Sequence, residues 1–448
     1  VAYSYISFLA AKTRLAQRMY DATKQFFADA ELGSYVNESL QTFNALANSQ
    51  RAEFTFLSSF PQTWYDLTTV ANTLRPMTVT DTDVLEILEY HLLEPLTSTY
   101  PLTWAGSSQF TLADLLNAIQ QMRDQLLSES SCTLTQQLVP SVPGRTFLND
   151  RVLDIRRVCW LPQSGLGYSA NCLLPGDTWA AQSFEAGFPQ QVPGTPNLWI
   201  RSTQPPLSFD VDIQPGAPGN YDILTVDAGT ALSDTTATVL PIPNDWVWVL
   251  KWGALANLLS RDTTSRDVYR ASYCQARYLH GVAALMKAPA LLAARINDVP
   301  VSVDAVREGD LYRANWQGLT SAAPDAVYYA GLNMVALVPS PDSTAYDVTA
   351  SVVQNMPLPS ADADQIQLGR DDLEAVLDYA QHVATFKCGG AEFLETIPLL
   401  QGFLRRCGLF NSKLEAILPY KEMLYGRSQE ERSVNPVFQS DSPEDSRG

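Results

Sequence analysis

The sequence predicts an α+β protein: helical hairpins or a bundle at the N-terminus, duplicated units of a β-layer followed by a helical hairpin, and an extended C-terminal tail. Three observations lead there. Apolar residues recur at helical spacing in three separate stretches, 4–48, 241–294 and 367–407, whereas much of 136–240 and 299–353 alternates with the two-residue period of strands. Two of the helical stretches follow matching preludes, IQPGAPGNYDILTV and LVPSPDSTAYDVTA: a short apolar run, a Pro turn, then Tyr221-Asp222 or Tyr346-Asp347 opening an alternating strand. Finally, 448 residues of which 46% are hydrophobic suffice to fill more than one core.

The duplicated unit is clearest from Pro241 to Val282. Asn244-Asp245 supplies a capping pair, and Trp248, Leu250, Trp252, Ala254, Leu255, Leu258 and Leu259 follow at helical spacing. Its echo begins near Gln367, where Arg370-Asp371-Asp372 precedes Leu373, Val376, Leu377, Tyr379, Ala380 and Val383. That helix breaks at Gly389-Gly390 before a further run to Cys407. One inserted residue separates the two registers. Each unit offers an apolar face that another can cover, which is a way to build size and not a catalytic signature.

In chain order, residues 1–135 read as a helical domain. A hairpin at 4–48 puts Ile6, Leu9, Leu15 and Met19 on its first stripe, and Leu32, Tyr35, Val36, Leu40, Phe43 and Leu46 on its second, with Asp29 as the cap between. Ala52–Phe60 alternates in part and runs into Pro61–Leu67, an expected exposed arm or short hairpin. Helices resume at 81–93, capped by Asp83, and at 111–127, opened by a Thr111–Asp114 capping-box variant. Residues 136–240 form a β-rich domain with strands at 151–160, 198–201 and 207–213. A helical hairpin at 241–296, a β-rich segment at 297–366 and a second hairpin at 367–427 follow. The last segment, 428–448, loses periodicity except for one apolar island, Pro436-Val437-Phe438, the candidate anchor on a neighbouring chain.

Charge limits the partners. Asp and Glu number 48 against 30 Lys and Arg, for a net −18, which argues against a surface that grips nucleic-acid phosphates broadly. Charged residues make up only 17% of a chain rich in aromatics and Pro, so much surface is weakly charged, as at permanent interfaces. The six cysteines contain no C-x-x-C pair and read as free thiols of a reducing compartment, although Cys159 and Cys172 stand where a hairpin would let them meet. No apolar run reaches the roughly 20 residues of a membrane helix, and no export signal precedes Val1.

Parts for catalysis are scarce. His91, His280 and His382 each stand alone in a helical context, and the sequence has no H-E-x-x-H, G-x-S-x-G, Walker A or G-x-G-x-x-G motif. Paired carboxylates exist at Asp210 and Asp212 on one strand and at Asp371-Asp372, where capping explains them; Asp362-Ala363-Asp364 is too sparse for a Ca²⁺ loop. Arg156-Arg157 and Arg405-Arg406 are basic pairs, the latter suited to a helix C-terminus. The expectation is a non-enzymatic protein with no catalytic, cofactor-binding or metal-binding residues and no cofactor.

Two parts of the sequence resemble proteins from the neck of tailed bacteriophages. The run LAQRMYD…FFADAELGSYVNESLQTFNAL is similar to head-to-tail connector (adaptor) proteins in its Arg-containing helix, aromatic loop, acidic helix opening at Asp29-Ala30-Glu31-Leu32, and Tyr35, Asn37, Glu38 and Leu40. Leu240-Pro241-Ile242-Pro243-Asn244-Asp245-Trp246 and Ala271-Ser272-Tyr273-Cys274 resemble segments of phage virion structural proteins; together these parts cover about half the chain. The resemblance implies a virion subunit, assembled in the host cytoplasm, that forms a closed ring of about twelve copies at the head–tail junction. Its partners would be the portal protein, a tail or nozzle protein and fibre proteins, with genome DNA passing through the channel without tight binding. Acidic side chains facing that channel would repel phosphates. The β-rich region 136–240 is longer than a minimal adaptor needs. An alternative reading makes 145–240 a module that binds carbohydrate or a host surface, as in a tail fibre, decoration or glycoside-active protein, with Trp160, Trp179 and Trp199 as stacking faces.

Overall fold

The structure, a computed structural model, describes residues 5–60, 62–71, 73–93, 109–162, 171–184, 192–202, 207–261, 266–313, 315–319, 321–414 and 416–417. The tail 428–448, with Pro436, Val437 and Phe438, lies outside the described residues. The fold is mixed α+β, in two compact units: 1–47 with 359–448, and 48–358. Among the described residues no helix is long and apolar enough to cross a membrane.

The first unit is helical. Strand β1 (Ile6–Ser7) leads into α1 (Phe8–Arg18) and α2 (Asp29–Ala47). These pack with α10 (Arg370–Thr385) and α12 (Ile397–Phe410), and the short α11 (Gly390–Leu394) links the last two. β1 pairs with β16 (Gln365–Ile366), which ties the two chain segments together. Ser7 caps α1 by accepting from Ala10 N. Phe43 of α2 meets Phe403 and Phe410 of α12, and Tyr379 stacks on Phe403 with centroids 4.4 Å apart.

The second unit holds two seven-stranded sheets. The strands of one are β4 (Thr135–Pro140), β5 (Thr146–Phe147), β6 (Val152–Pro162), β7 (Asn171–Gly176), β8 (Leu198–Ser202), β9 (Ser208–Val211) and β10 (Gly219–Asp227). The other contains β2 (Arg51–Leu57), β3 (Trp64–Asp66), β11 (Ala293–Ile296), β12 (Val299–Ala305), β13 (Ala326–Ala330), β14 (Met334–Val338) and β15 (Asp347–Val353). Numbered along the chain, the strands of each sheet stand side by side in one order, 1-7-3-4-5-6-2. In each the fourth and fifth strands are parallel and every other neighbouring pair is antiparallel. A parallel pair requires a crossover, and both sheets use a short helix there: α6 (Thr178–Phe184) and α9 (Val306–Tyr312).

The helices complete the correspondence. The first sheet is flanked in the chain by α4 (Asp81–Leu92) and α5 (Leu112–Ser130) before it, and by α7 (Val247–Ser260) and α8 (Val268–Leu285) after it. The second sheet is flanked in the same way by α1 with α2 and by α10 with α12. The chain is therefore two copies of one αα–β7–αα module, the inner copy inserted between the second and third strands of the outer. The Tyr-Asp preludes sit at matching places: Asp222 lies opposite Leu138 on the edge strand β4, and Asp347 opposite Leu57 on the edge strand β2. Both leucines are more than 60% exposed, at 61% and 64%.

Burial follows sequence pattern. α7 is apolar on all sides and is buried on nearly all, between α4, α5 and α8. Close approach there relies on Gly281, where a Cβ would come within 2.6 Å of Val249. The first sheet's core contains Val158, Trp160, Trp199, Phe209, Tyr221 and Ile223; the second's contains Ile296, Val327, Val335, Leu337, Val348 and Val352.

Four expectations need correction. Residues 1–135 do not form one helical domain: 1–47 belong with the C-terminal helices, and the expected arm at 52–67 supplies β2 and β3, whose partners β15 and β14 lie nearly three hundred residues later. A helical turn, α3 (Leu67–Val70), follows β3 directly and is capped by Asp66. The cap of α4 is Thr80, not Asp83; Asp83 is its partner in a capping box, as Asp114 is for Thr111. Asp29 is the first residue of α2 and is paired with Lys12 and Lys24. Cys159 and Cys172, directly opposite on β6 and β7, form a disulfide, so the cysteines are not all free thiols.

Candidate functional site

Most charged residues of the catalytic search have a local structural partner. Asp210 on β9 is held by Arg145, 2.9 Å away, while Asp212 Oδ1 accepts from the backbone N–H groups of Asn197 and Leu198. Asp372, in the first turn of α10, pairs with Arg406 of α12 at 2.6 Å; Asp371 beside it is exposed at the same helix start. Asp364 accepts from the N–H groups of Ser360 and Ala361, which holds its carboxyl below the usual range, and Asp362 pairs with Lys12. Arg156 is paired with Asp154 at 3.1 Å, and Arg405 is exposed on α12.

His91 on α4 and His280 on α8 lie on helices that both pack on α7, and His382 lies on α10 of the other unit. His91 Nε2 stands 3.2 Å from Nζ of the buried Lys251, beside the Trp252 ring. His382 shares a 2.8 Å hydrogen bond with Thr396 and stacks on Phe393. Burial, with the nearby Arg277, pushes His280 down to about 3, so its imidazole is neutral at neutral pH. Among the described residues no group of three His, Cys, Asp or Glu side chains is placed to hold a metal ion. A groove of about 410 Å³ between α5, α7 and α8 is lined by amides, including Gln121, Gln125, Asn257 and Gln275. Asn257 donates to Gln121 across it at 3.2 Å.

Of the three tryptophans expected to stack on a saccharide, Trp160 and Trp199 belong to the core of the first sheet. Only Trp179, on α6, exposes its ring, at 83%.

The most developed polar constellation joins the two copies of the module within the second unit. The crossover after β12 lays residues 310–313 and 315–317 on β6 and β7 of the inner sheet. Arg157 Nη1 reaches both carboxylate oxygens of Asp310, at 2.9 and 2.8 Å, its Nε donates to Gln317 Oε1, and its guanidinium lies over the Trp316 ring 5.1 Å from the centroid. Trp316 is fully buried, donates from Nε1 to Asp310 and packs edge-on against Trp64 and Tyr328. Asn315 Oδ1 accepts from Cys172 N at 3.3 Å. Gln317 Oε1 rests 2.9 Å from each disulfide sulfur, a contact and not a hydrogen bond because a disulfide carries no S–H.

This docking combines an arginine, an aromatic face and a buried amide. It has the composition of an interface hot spot and is directional, with the crossover of one copy on the sheet of the other. Sequence reasoning had Arg157 as one half of a basic pair and missed its partners, because Asp310 and Gln317 lie more than 150 residues away. The signal available was the duplication itself, which marks equivalent surfaces. Comparison with models of known protein families and with curated protein sequences finds no match.

Proposed function

We propose that this chain is a non-enzymatic structural subunit of a virion, forming the ring in the neck of a tailed phage that joins the portal to the tail around the DNA channel. The observation that carries the reading as an assembly subunit is the nested duplication, whose two copies meet through a directional contact, crossover onto sheet. Directional contacts between like modules close into rings when the rotation between them closes. The weakly charged composition supports permanent interfaces, and net −18 per chain suits a channel through which DNA slides without sticking. The N-terminal resemblance selects the neck among ring-forming positions in a virion.

The test is the mass of the purified full chain in solution, alone and with the portal protein, followed by negative-stain imaging. The expected result is a ring with a hole wide enough for duplex DNA, formed alone or on the portal. A chain that stays monomeric or trimeric under both conditions, above all one that binds glycans, overturns the proposal.

A further inference from the structure

We propose that the outward face of the outer copy's sheet, centred on Arg295, is the docking site for a second copy of this chain. The neighbour seats there its helix α6, which carries Trp179. The proposal deepens the ring reading by naming the contact that would propagate the ring.

The two sheets can be aligned residue by residue from their pairing. Ile223 pairs with Val158 and Leu224 lies opposite Arg157 in the inner sheet; in the outer sheet Val348 pairs with Ile296 and Thr349 lies opposite Arg295. Val158 and Ile223 face the first core, and Ile296 and Val348 the second, so the alignment preserves which side of each sheet is inward. Arg295 thus holds the position of Arg157, and Asn297, which donates from its backbone N–H to Asp347 O, holds that of Cys159.

The same positions differ in burial. Around Arg157 on the inner sheet three outward residues are covered, Cys159 at 1% exposed, Leu224 at 3% and Asp222 at 7%, while Leu138 and Leu174 farther out on that face stay exposed. On the outer sheet Arg295, Asn297 and Asp347 are exposed and Thr349 is half-buried. What contributes to the difference is the outer crossover, docked on the inner sheet through Asp310 and Gln317 on Arg157. The contact pairs one crossover with one sheet, and a single chain carries two of each. The second sheet surface is the outer sheet's, and on the described part of the second crossover Trp179 is 83% and Val192 86% exposed. Exposed apolar side chains also stand on α9, at Leu311 and Tyr312, but they belong to the crossover already docked through Asp310 and Gln317.

The chemistry fits. Arg157 takes an indole face from Trp316, and the exposed Arg295 offers a guanidinium of the same kind to the exposed indole of Trp179. A chain with 48 acidic against 30 basic residues also draws an exposed arginine toward another copy of itself. Repeated from chain to chain, the contact is head-to-tail and does not stop at a dimer.

The experiment is sedimentation velocity of the full chain over a concentration series, comparing wild type with Arg295→Glu and Trp179→Ala. Both side chains are exposed, so thermal unfolding of each variant should match wild type, which separates loss of assembly from loss of fold. The expected result is assembly of wild type beyond the dimer and a rise of at least about tenfold in the concentration at half-assembly for each variant, as for loss of a central Trp or Arg. Variants that assemble like wild type overturn this interface and leave the ring reading standing. A wild-type chain that stops at a dimer overturns head-to-tail docking, and one that stays monomeric even with the portal protein overturns both.

Discussion

Asp222 and His280 are both buried and ionisable, and burial moves their titration in opposite directions. Asp222 Oδ1 accepts from Gln136 Nε2 at 2.8 Å, yet desolvation dominates and lifts its carboxyl to about 6. The folded state therefore keeps a proton that the unfolded chain loses from about pH 4 upward, so this group's contribution to stability falls as pH rises toward 6 and stays low above it. Asp222→Asn keeps the acceptor oxygen and removes the titration. The variant should be more stable than wild type at pH 7.5 by about 2–3 kcal/mol, with the gain shrinking to near zero by pH 4. Urea midpoints measured at both pH values check it. His280, with its pKa lowered, acts the other way: its contribution is complete above the unfolded value of 6.5 and is lost as pH falls toward about 3. The burial of neither group was legible in the sequence, because burial is a property of the packed sheet and bundle and not of the residue.

At the scale of elements, the helical unit is fastened by Lys387, just after α10, which lies against Glu31 of α2 at 2.7 Å with both side chains under 5% exposed. Its ammonium also donates to Phe26 O and sits 4.3 and 4.2 Å from the Phe26 and Phe27 ring centroids, while Tyr35 donates to the other side of the pair at Glu31. Removing one partner leaves a buried charge uncompensated. Lys387→Met should cost about 3–5 kcal/mol, and adding Glu31→Gln should restore at least about 1 kcal/mol of it, a coupling that urea unfolding of the two single variants and the double variant would measure. Equal additive losses would mean that the pair contributes nothing as a pair. Helix existence was readable here: α1, α2, α10 and α12 announce themselves by apolar spacing, and the Thr111–Asp114 capping box by residue type. The role of 52–67 was not, since a short alternating run reads the same whether it stands free or fills a sheet edge whose partner lies far along the chain.

At the scale of the molecule, the insertion of one module into another predicts that the inner copy carries its own fold. It begins where Asn244 accepts from Thr78 N and Leu240 N donates to Val79 O, and its last helix ends at Leu285. A fragment of residues 78–289 should therefore fold alone, with mixed α/β circular dichroism and one cooperative urea transition. A fragment that gives a broad, non-cooperative transition would show instead that the surface of Arg157, and Leu134, whose N–H donates to Asn333 Oδ1 of the outer copy, require the outer sheet to fold.

Sequence by itself determined the α+β class, the positions of the helical hairpins and the likeness of the two halves around Tyr221-Asp222 and Tyr346-Asp347, because periodicity, caps and turn residues are local and survive in one dimension. Tertiary structure decided that the likeness extends to two whole modules with one strand order, that the outer one is split around the inner, and that Arg157 is covered while Arg295 is not. Those facts depend on pairings between segments hundreds of residues apart, where what matters is which surfaces meet, and no local pattern encodes that.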